Sequence, residues 1–242
     1  MSGIFEDTAV ERTNEGDETE SPGTVPVSAI EPDGRARGGI VVLHESRDFT
    51  PALLGLMRAL ADEGWIAVAP HLFHREPDDT AAEVFGDNLF RDFDASFDWL
   101  RAKGVFADCI GVLGFDDAGT AAVLVATNRP VGAVVSVAAR GIVEPITSGA
   151  QSLLDAVQTL QAPWLALYGF DDPETPSEHV ERLRDAVATA SVATNVVSYA
   201  GLGHRADEET AAGDIGKEFE SGADVLLDAQ SRIFDWFDSN LR

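Results

Sequence analysis

Hydrophobic and polar positions change period repeatedly along this chain. "TVPVSAI" (24–30) alternates with a period of two, as a strand does. "GIVVLH" (39–44) is a continuous β-branched run, which predicts a strand buried on both faces. "TPALLGLMRALADEG" (50–64) spaces Leu53, Leu56, Met57 and Leu60 at helical intervals, and Gly64 stops it. "WIAVAP" (65–70) predicts the next strand. Residues 80–103 predict a helix with Phe90, Phe93, Phe97 and Leu100 on one stripe. "CIGVLG" (109–114), "VGAVVSVAA" (131–139), "APWLALYG" (162–169) and "TNVVSYAG" (194–201) predict further strands. Helices are predicted over 118–127, 177–190 and the last eighteen or so residues, where Leu227, Ile233, Phe234 and Phe237 are available for burial.

Strand and helix in alternation imply a mostly parallel sheet with helices on both faces. Ligands in such sheets bind at the carboxyl ends of the strands, so the strand exits are where chemistry is expected. "VVLHES" places His44, Glu45 and Ser46 there, and "VAPHLFHR" places His71, His74 and Arg75. "GVLGFDDAG" (111–119) places Asp116, "LYGFDDPETP" places Asp171 and Asp172, and "YAGLGHRAD" places His204.

Composition narrows the reading. The 242 residues, 45% of them hydrophobic, suit one domain with a sizeable core, taken as 24–242. Residues 1–23 are polar and acidic and are expected to form a flexible arm. Forty-two acidic against 17 basic residues give a net charge of −25, which repels nucleic acid and anionic lipid; neither is an expected partner. A single cysteine cannot form an internal disulfide or a thiolate zinc site. The histidines and Glu45 match no compact metal motif, so neither metal nor cofactor is expected. There is no secretory signal and no apolar run of bilayer length, so a cytoplasmic monomer or homodimer acting on a small molecule is expected.

The turn at Asp116 has the pattern of a nucleophile elbow, with Gly114 two residues before the apex and Ala118 and Gly119 after it. Small residues are required where a strained apex packs a helix tightly on its strand. An acid and then a histidine follow in chain order. From about Thr24 onward the chain resembles the dienelactone hydrolase family of α/β hydrolases. The resemblance is carried by "GGIVVLHE", "LADEGWIAVAPHLFHR", "IGVLGFDDAG", "GFDDPETP" and "GLGHR".

The resemblance implies an α/β-hydrolase fold with no inserted lid domain. It puts the triad histidine on His204 and the triad acid on Asp172 or Asp171. Glu45 matches the family glutamate that hydrogen-bonds the resting nucleophile, and Arg75 matches a substrate-carboxylate arginine. The amides of Ser46 and Asp117 match the oxyanion hole, while His44 and His71 flank these positions as candidate substrate contacts. Three features depart from the family: Asp116 replaces the nucleophilic cysteine, His71 replaces an aspartate, and "GHRADEE" is acidic where a second carboxylate-binding arginine is usual.

A carboxylate that attacks an acyl carbon is expelled again more readily than an alkoxide, so an aspartate nucleophile favours saturated carbon. The expected function is hydrolysis of a small ester, lactone or related substrate, with an anionic group allowed. A non-catalytic ligand-binding homologue is one alternative. A dehalogenase or epoxide hydrolase with an aspartate nucleophile is another.

Overall fold

The computed structural model describes residues 3–12, 23–76, 84–205 and 219–241. Among them, eight strands form one sheet: β1 (Phe5–Val10), β2 (Thr24–Ile30), β3 (Gly38–Leu43), β4 (Trp65–Pro70), β5 (Ile110–Phe115), β6 (Ala133–Val137), β7 (Trp164–Gly169) and β8 (Thr194–Tyr199). Their spatial order is β1-β2-β4-β3-β5-β6-β7-β8. β2 pairs antiparallel with β1 and β4, and every other pairing is parallel. The helices are α1 (Pro51–Asp62), α2 (Asp87–Ala102), α3 (Asp116–Asn128), α4 (Leu153–Ala156), α5 (Ser177–Val187) and α6 (Phe219–Asn240). This is the α/β-hydrolase architecture, with no lid domain inserted among the described residues.

The central strands are apolar throughout because both faces are covered. Val41, Val112, Val134 and Ala166 point to α2, α3, α4 and α5. Their neighbours Val42, Leu113, Val135 and Leu167 point to α1 and α6. In α6, Ala229, Ile233 and Phe237 fall at four-residue intervals and are buried, which puts Leu227 on the opposite face, 60% exposed. Leu227 is therefore not part of the core. Glycine fixes this packing: a Cβ on Gly111 would lie 2.6 Å from the Phe237 ring.

The acidic N-terminus differs from its expectation. Phe5–Val10 is not a flexible arm but the edge strand β1, in register with β2 from Phe5↔Ala29 to Val10↔Thr24. Its inward side is short: Ala9 is buried, and Phe5 packs near Trp99. Its acids face outward or find partners, as when Trp99 Nε1 donates to Asp7 at 3.0 Å. Charges on an edge strand hide it from a hydrophobicity reading while protecting the sheet from further pairing. The rest of that arm, 13–22, lies outside the described residues, as do 80–83 of the helix expected over 80–103; its described part is α2, preceded by Gly86 with φ 95°. Among the described residues, no helix is long and apolar enough to cross a membrane.

Candidate active site

Strand β5 ends at Phe115 with extended backbone, and the chain reverses at Asp116, whose φ is 54°. That left-handed conformation costs a non-glycine residue on the order of 1 kcal/mol or more. Helix α3 starts at once, so β5 and α3 nearly touch. A Cβ on Gly114 would lie 2.1 Å from the Ala118 carbonyl oxygen, and one on Gly119 would lie 3.2 Å from the Gly114 carbonyl oxygen. The small residues of "GFDDAG" are thus explained by contact distances.

The turn aims Asp116 at the loop that follows β8. His204 Nε2 lies 3.0 Å from Asp116 Oδ1, and His204 Nδ1 lies 2.9 Å from Asp172 Oδ2. The imidazole is held between two carboxylates. Asp172 is itself fixed: Thr175 Oγ1 donates to its Oδ2 at 2.9 Å, and the Glu174 amide donates to its Oδ1 at 2.8 Å. Gly169 makes the approach of the histidine loop to β7 feasible, because a Cβ there would sit 2.5 Å from the His204 carbonyl oxygen. Asp171 turns away and accepts from the Gly201 amide at 3.1 Å. Of the two expected acids, Asp172 meets the histidine.

Charge is distributed unevenly. Burial pushes the Asp116 carboxyl above its ordinary range, outweighing Arg205 and His204 beside it. Burial acts on Asp172 in the same direction, yet its hydrogen bonds from His204, Glu174 and Thr175 together bring it below the ordinary value. Burial, followed by the charge of Asp117, raises Glu45 against the opposing pull of Arg140. Burial lowers His44 to about 4. Its Nε2 lies 3.2 Å from the Pro70 carbonyl oxygen, and its ring packs against Phe49, tilted by 53°, with centroids 4.7 Å apart.

Glu45 and Asp116 share no hydrogen bond. The Asp117 amide donates to Glu45 Oε1, and so does the Ala118 amide at 3.3 Å. Glu45 therefore caps the head of α3, where backbone N–H groups favour an anion. The Asp117 amide, expected in the oxyanion hole, is engaged by a carboxylate of the protein itself.

A cavity of about 210 Å³ opens beside Asp116. Leu53, Leu56 and Phe115 supply its apolar wall, and His44, Glu45, Ser46, Asp116 and Arg205 its polar side. Two expected contacts lie elsewhere. Arg75 Nη2 is 2.5 Å from Glu11 and 2.7 Å from the fully buried Asp92, so this arginine balances a buried acid and does not line the cavity. His71 Nε2 is 3.0 Å from Ser28 Oγ and 3.1 Å from Glu6 Oε2, on the β1–β2 side of Phe49.

Two arginines at the site escaped the sequence reading. Arg205 Nη1 donates to Asp116 Oδ2 at 3.0 Å, and its guanidinium lies 4.5 Å from the Phe115 ring centroid. It directly follows His204 in "GLGHR". Arg140 lies 2.7 Å from Asp117, 3.3 Å from Glu45 and 3.1 Å from Glu174. It leaves the end of β6, so the strand-exit rule could have found it.

This geometry has relatives. A protein from Salmonella typhimurium (strain LT2), provisionally named a carboxymethylenebutenolidase, is 28% identical over 211 residues, which cover 82% of this chain and 76% of that protein. A crystal structure from Klebsiella pneumoniae, provisionally titled a dienelactone hydrolase, superposes with a TM-score of 0.76 at 22% identity, covering 98% of this chain and 99% of the other. A metagenomic structure titled a dienelactone hydrolase-like promiscuous phosphotriesterase gives a TM-score of 0.68 at 18% identity, covering 99% of each chain. At these identities the two structures speak for the fold alone. The pattern of the whole chain speaks for more: residues 25–241 match the Dienelactone hydrolase family, and this chain belongs to that family of hydrolases.

Proposed function

We propose that this protein hydrolyses a small ester or lactone carrying an anionic group, using Asp116 and His204 as a base–acid pair and not a covalent nucleophile. The observation that carries this reading is the imidazole of His204 set between Asp116 at 3.0 Å and Asp172 at 2.9 Å. In this reading His204 enters the reaction protonated, with Nε2 facing Asp116 and Nδ1 facing Asp172. Asp116 is then the base, strengthened by burial, and His204 is the acid. Asp116 takes a proton from water as the water oxygen bonds to the acyl carbon. His204 Nε2 gives its proton to the leaving oxygen as the acyl C–O bond breaks. The proton on Asp116 then returns to His204, and the site is restored.

A covalent route is weaker on acyl substrates. An aspartyl intermediate at an acyl carbon collapses backwards, because the carboxylate is the better leaving group. Arg205 supports an anionic substrate beside the reacting carbon. The name of the Salmonella relative specifies a butenolide, a lactone, with a carboxymethylene group, and that class suits the same arginine.

A second reading, a non-catalytic ligand-binding protein, is favoured by one observation: Glu45 already caps the Asp117 and Ala118 amides. A panel of aryl esters, lactones, epoxides and haloacids separates the readings. Hydrolysis of an ester or lactone should fall by about 10²-fold or more in Asp116→Asn. Single turnover in ¹⁸O-water should leave Asp116 unlabelled. Label in Asp116 would establish a covalent nucleophile instead. Binding of panel members with no turnover of any would support the second reading.

A further inference from the structure

Arg140 joins three carboxylates at the site, and the proposed chemistry does not use it. Its Nη2 lies 3.3 and 3.4 Å from the two Glu45 oxygens, its Nε 2.7 Å from Asp117, and its Nη1 3.1 Å from Glu174. The backbone commits it to this place. Ala138, two residues before it, has φ 52°, and Thr120 Oγ1 donates to the Arg140 carbonyl at 2.6 Å. Thr120 lies in α3, so the arginine is tied to the helix whose head Glu45 caps.

Glu45 meets the α3 amides and Arg140 and at the same time borders the cavity shared with Asp116 and Arg205. The charged and titratable groups around it are Asp116 and Asp117 from α3, Arg140 from the β6 exit, His44 beside it in the chain, and Arg205 across the cavity. Two of these are carboxylates that repel it. Among the described residues, Arg140 reaches its carboxylate at 3.3 Å.

We infer that Arg140 is a positioning residue, whose guanidinium holds the Glu45 carboxylate outward on the amides of Asp117 and Ala118 and away from Asp116. It acts through Glu45 and touches no reacting atom. The consequence for turnover rests on the base–acid reading above. Without Arg140, Glu45 is left between two carboxylates and takes up a proton more readily. As a protonated acid turned inward, it can donate to Asp116 and occupy the base. Arginine suits the task because its planar fork meets Glu45, Asp117 and Glu174 at once, which a single ammonium cannot.

The test is a carboxyl ¹³C titration of Glu45 in the full chain, parent against Arg140→Gln and Arg140→Lys. The midpoint should rise by about one pH unit or more in Arg140→Gln, and the lysine variant, which keeps a charge, should fall between. With a hydrolysed ester in hand, the acid limb of kcat/KM should move to higher pH in the same order. An unchanged Glu45 midpoint in a folded Arg140→Gln overturns the inference. Should that variant fail to fold, an unchanged midpoint in Arg140→Lys does so. The titration needs no turnover: a shifted midpoint in a protein that hydrolyses nothing leaves Arg140 in its role and removes only the base–acid reading.

Discussion

Asp116 and Asp172 flank one imidazole, yet the fold moves their carboxyls in opposite directions. Burial dominates at Asp116 and raises it; hydrogen bonds prevail at Asp172 and lower it. The stability consequences are opposite too. A carboxyl whose folded value is raised weakens the fold as pH climbs through that value, because the buried charge is disfavoured. Asp116→Asn should therefore melt higher than the parent at pH 7, with the gain shrinking toward acid pH. Asp172→Asn should melt lower at pH 7, and its deficit should shrink as pH falls through the folded value of Asp172. Losing acceptors for buried donors there costs about 1–3 kcal/mol. Melting temperatures of both variants between pH 3 and 8 check this. An Asp116→Asn protein less stable than the parent at pH 7 would mean that its ion pairs with Arg205 and His204 outweigh its burial. Strain at functional positions commonly takes this form, with stability given up for a reactive group.

At the level of elements, the β5–α3 unit fixes where the chemistry can be. Its tolerance for a methyl group differs sharply between glycines. At Gly114 an added Cβ meets backbone at 2.1 Å, which no rotamer change relieves. Gly114→Ala should cost about 3 kcal/mol or more and displace Asp116 from His204. Gly55, exposed in α1, has nothing within 4 Å of an added Cβ, and Gly55→Ala should stabilise by about 0.5–1 kcal/mol through helix propensity. Urea unfolding of the two variants measures both. The contrast also explains what could be read from sequence. Central strands announce themselves because burial on both faces demands unbroken apolar runs such as "GIVVLH", and the elbow because its geometry excludes side chains. Asp172 and Asp171 could not be separated, since their difference is the direction of a loop held by Gly169 and the Gly201 amide. The strand-exit rule points to the position of Arg140 but not to its role, which comes from three acids brought together from distant segments. Arg75, expected at the site from the resemblance, lies outside it, where it balances the fully buried Asp92.

Across the whole molecule, acidity and the N-terminal strand are connected. A net charge of −25 leaves 42 acidic residues to share 17 basic ones, and several of the described cations hold segments together. Residues 5–12 draw on several of them. Glu11 meets Arg75, Arg12 meets Asp94 and Asp98, and Lys103 lies over the Phe5 and Trp99 rings. Each contact on its own is worth little where water reaches it. Together with six paired residues they seal β2, whose Val25 and Val27 are fully buried, as an internal strand. Removing residues 1–12 would convert β2 into an open edge beside apolar side chains. It would also take Glu11 from Arg75, leaving Asp92 as that arginine's acidic partner. The truncated chain should therefore unfold at lower temperature than the full chain and self-associate at concentrations where the full chain does not, as exposed edges do. Arg75 should stay where it is, because its pairing with the buried Asp92 survives the deletion. Calorimetry and sedimentation velocity on the two chains decide the matter. An unchanged melting temperature together with an unchanged sedimentation profile would show that β1 covers the edge without contributing to the fold. The acidic N-terminus would then matter for solubility alone.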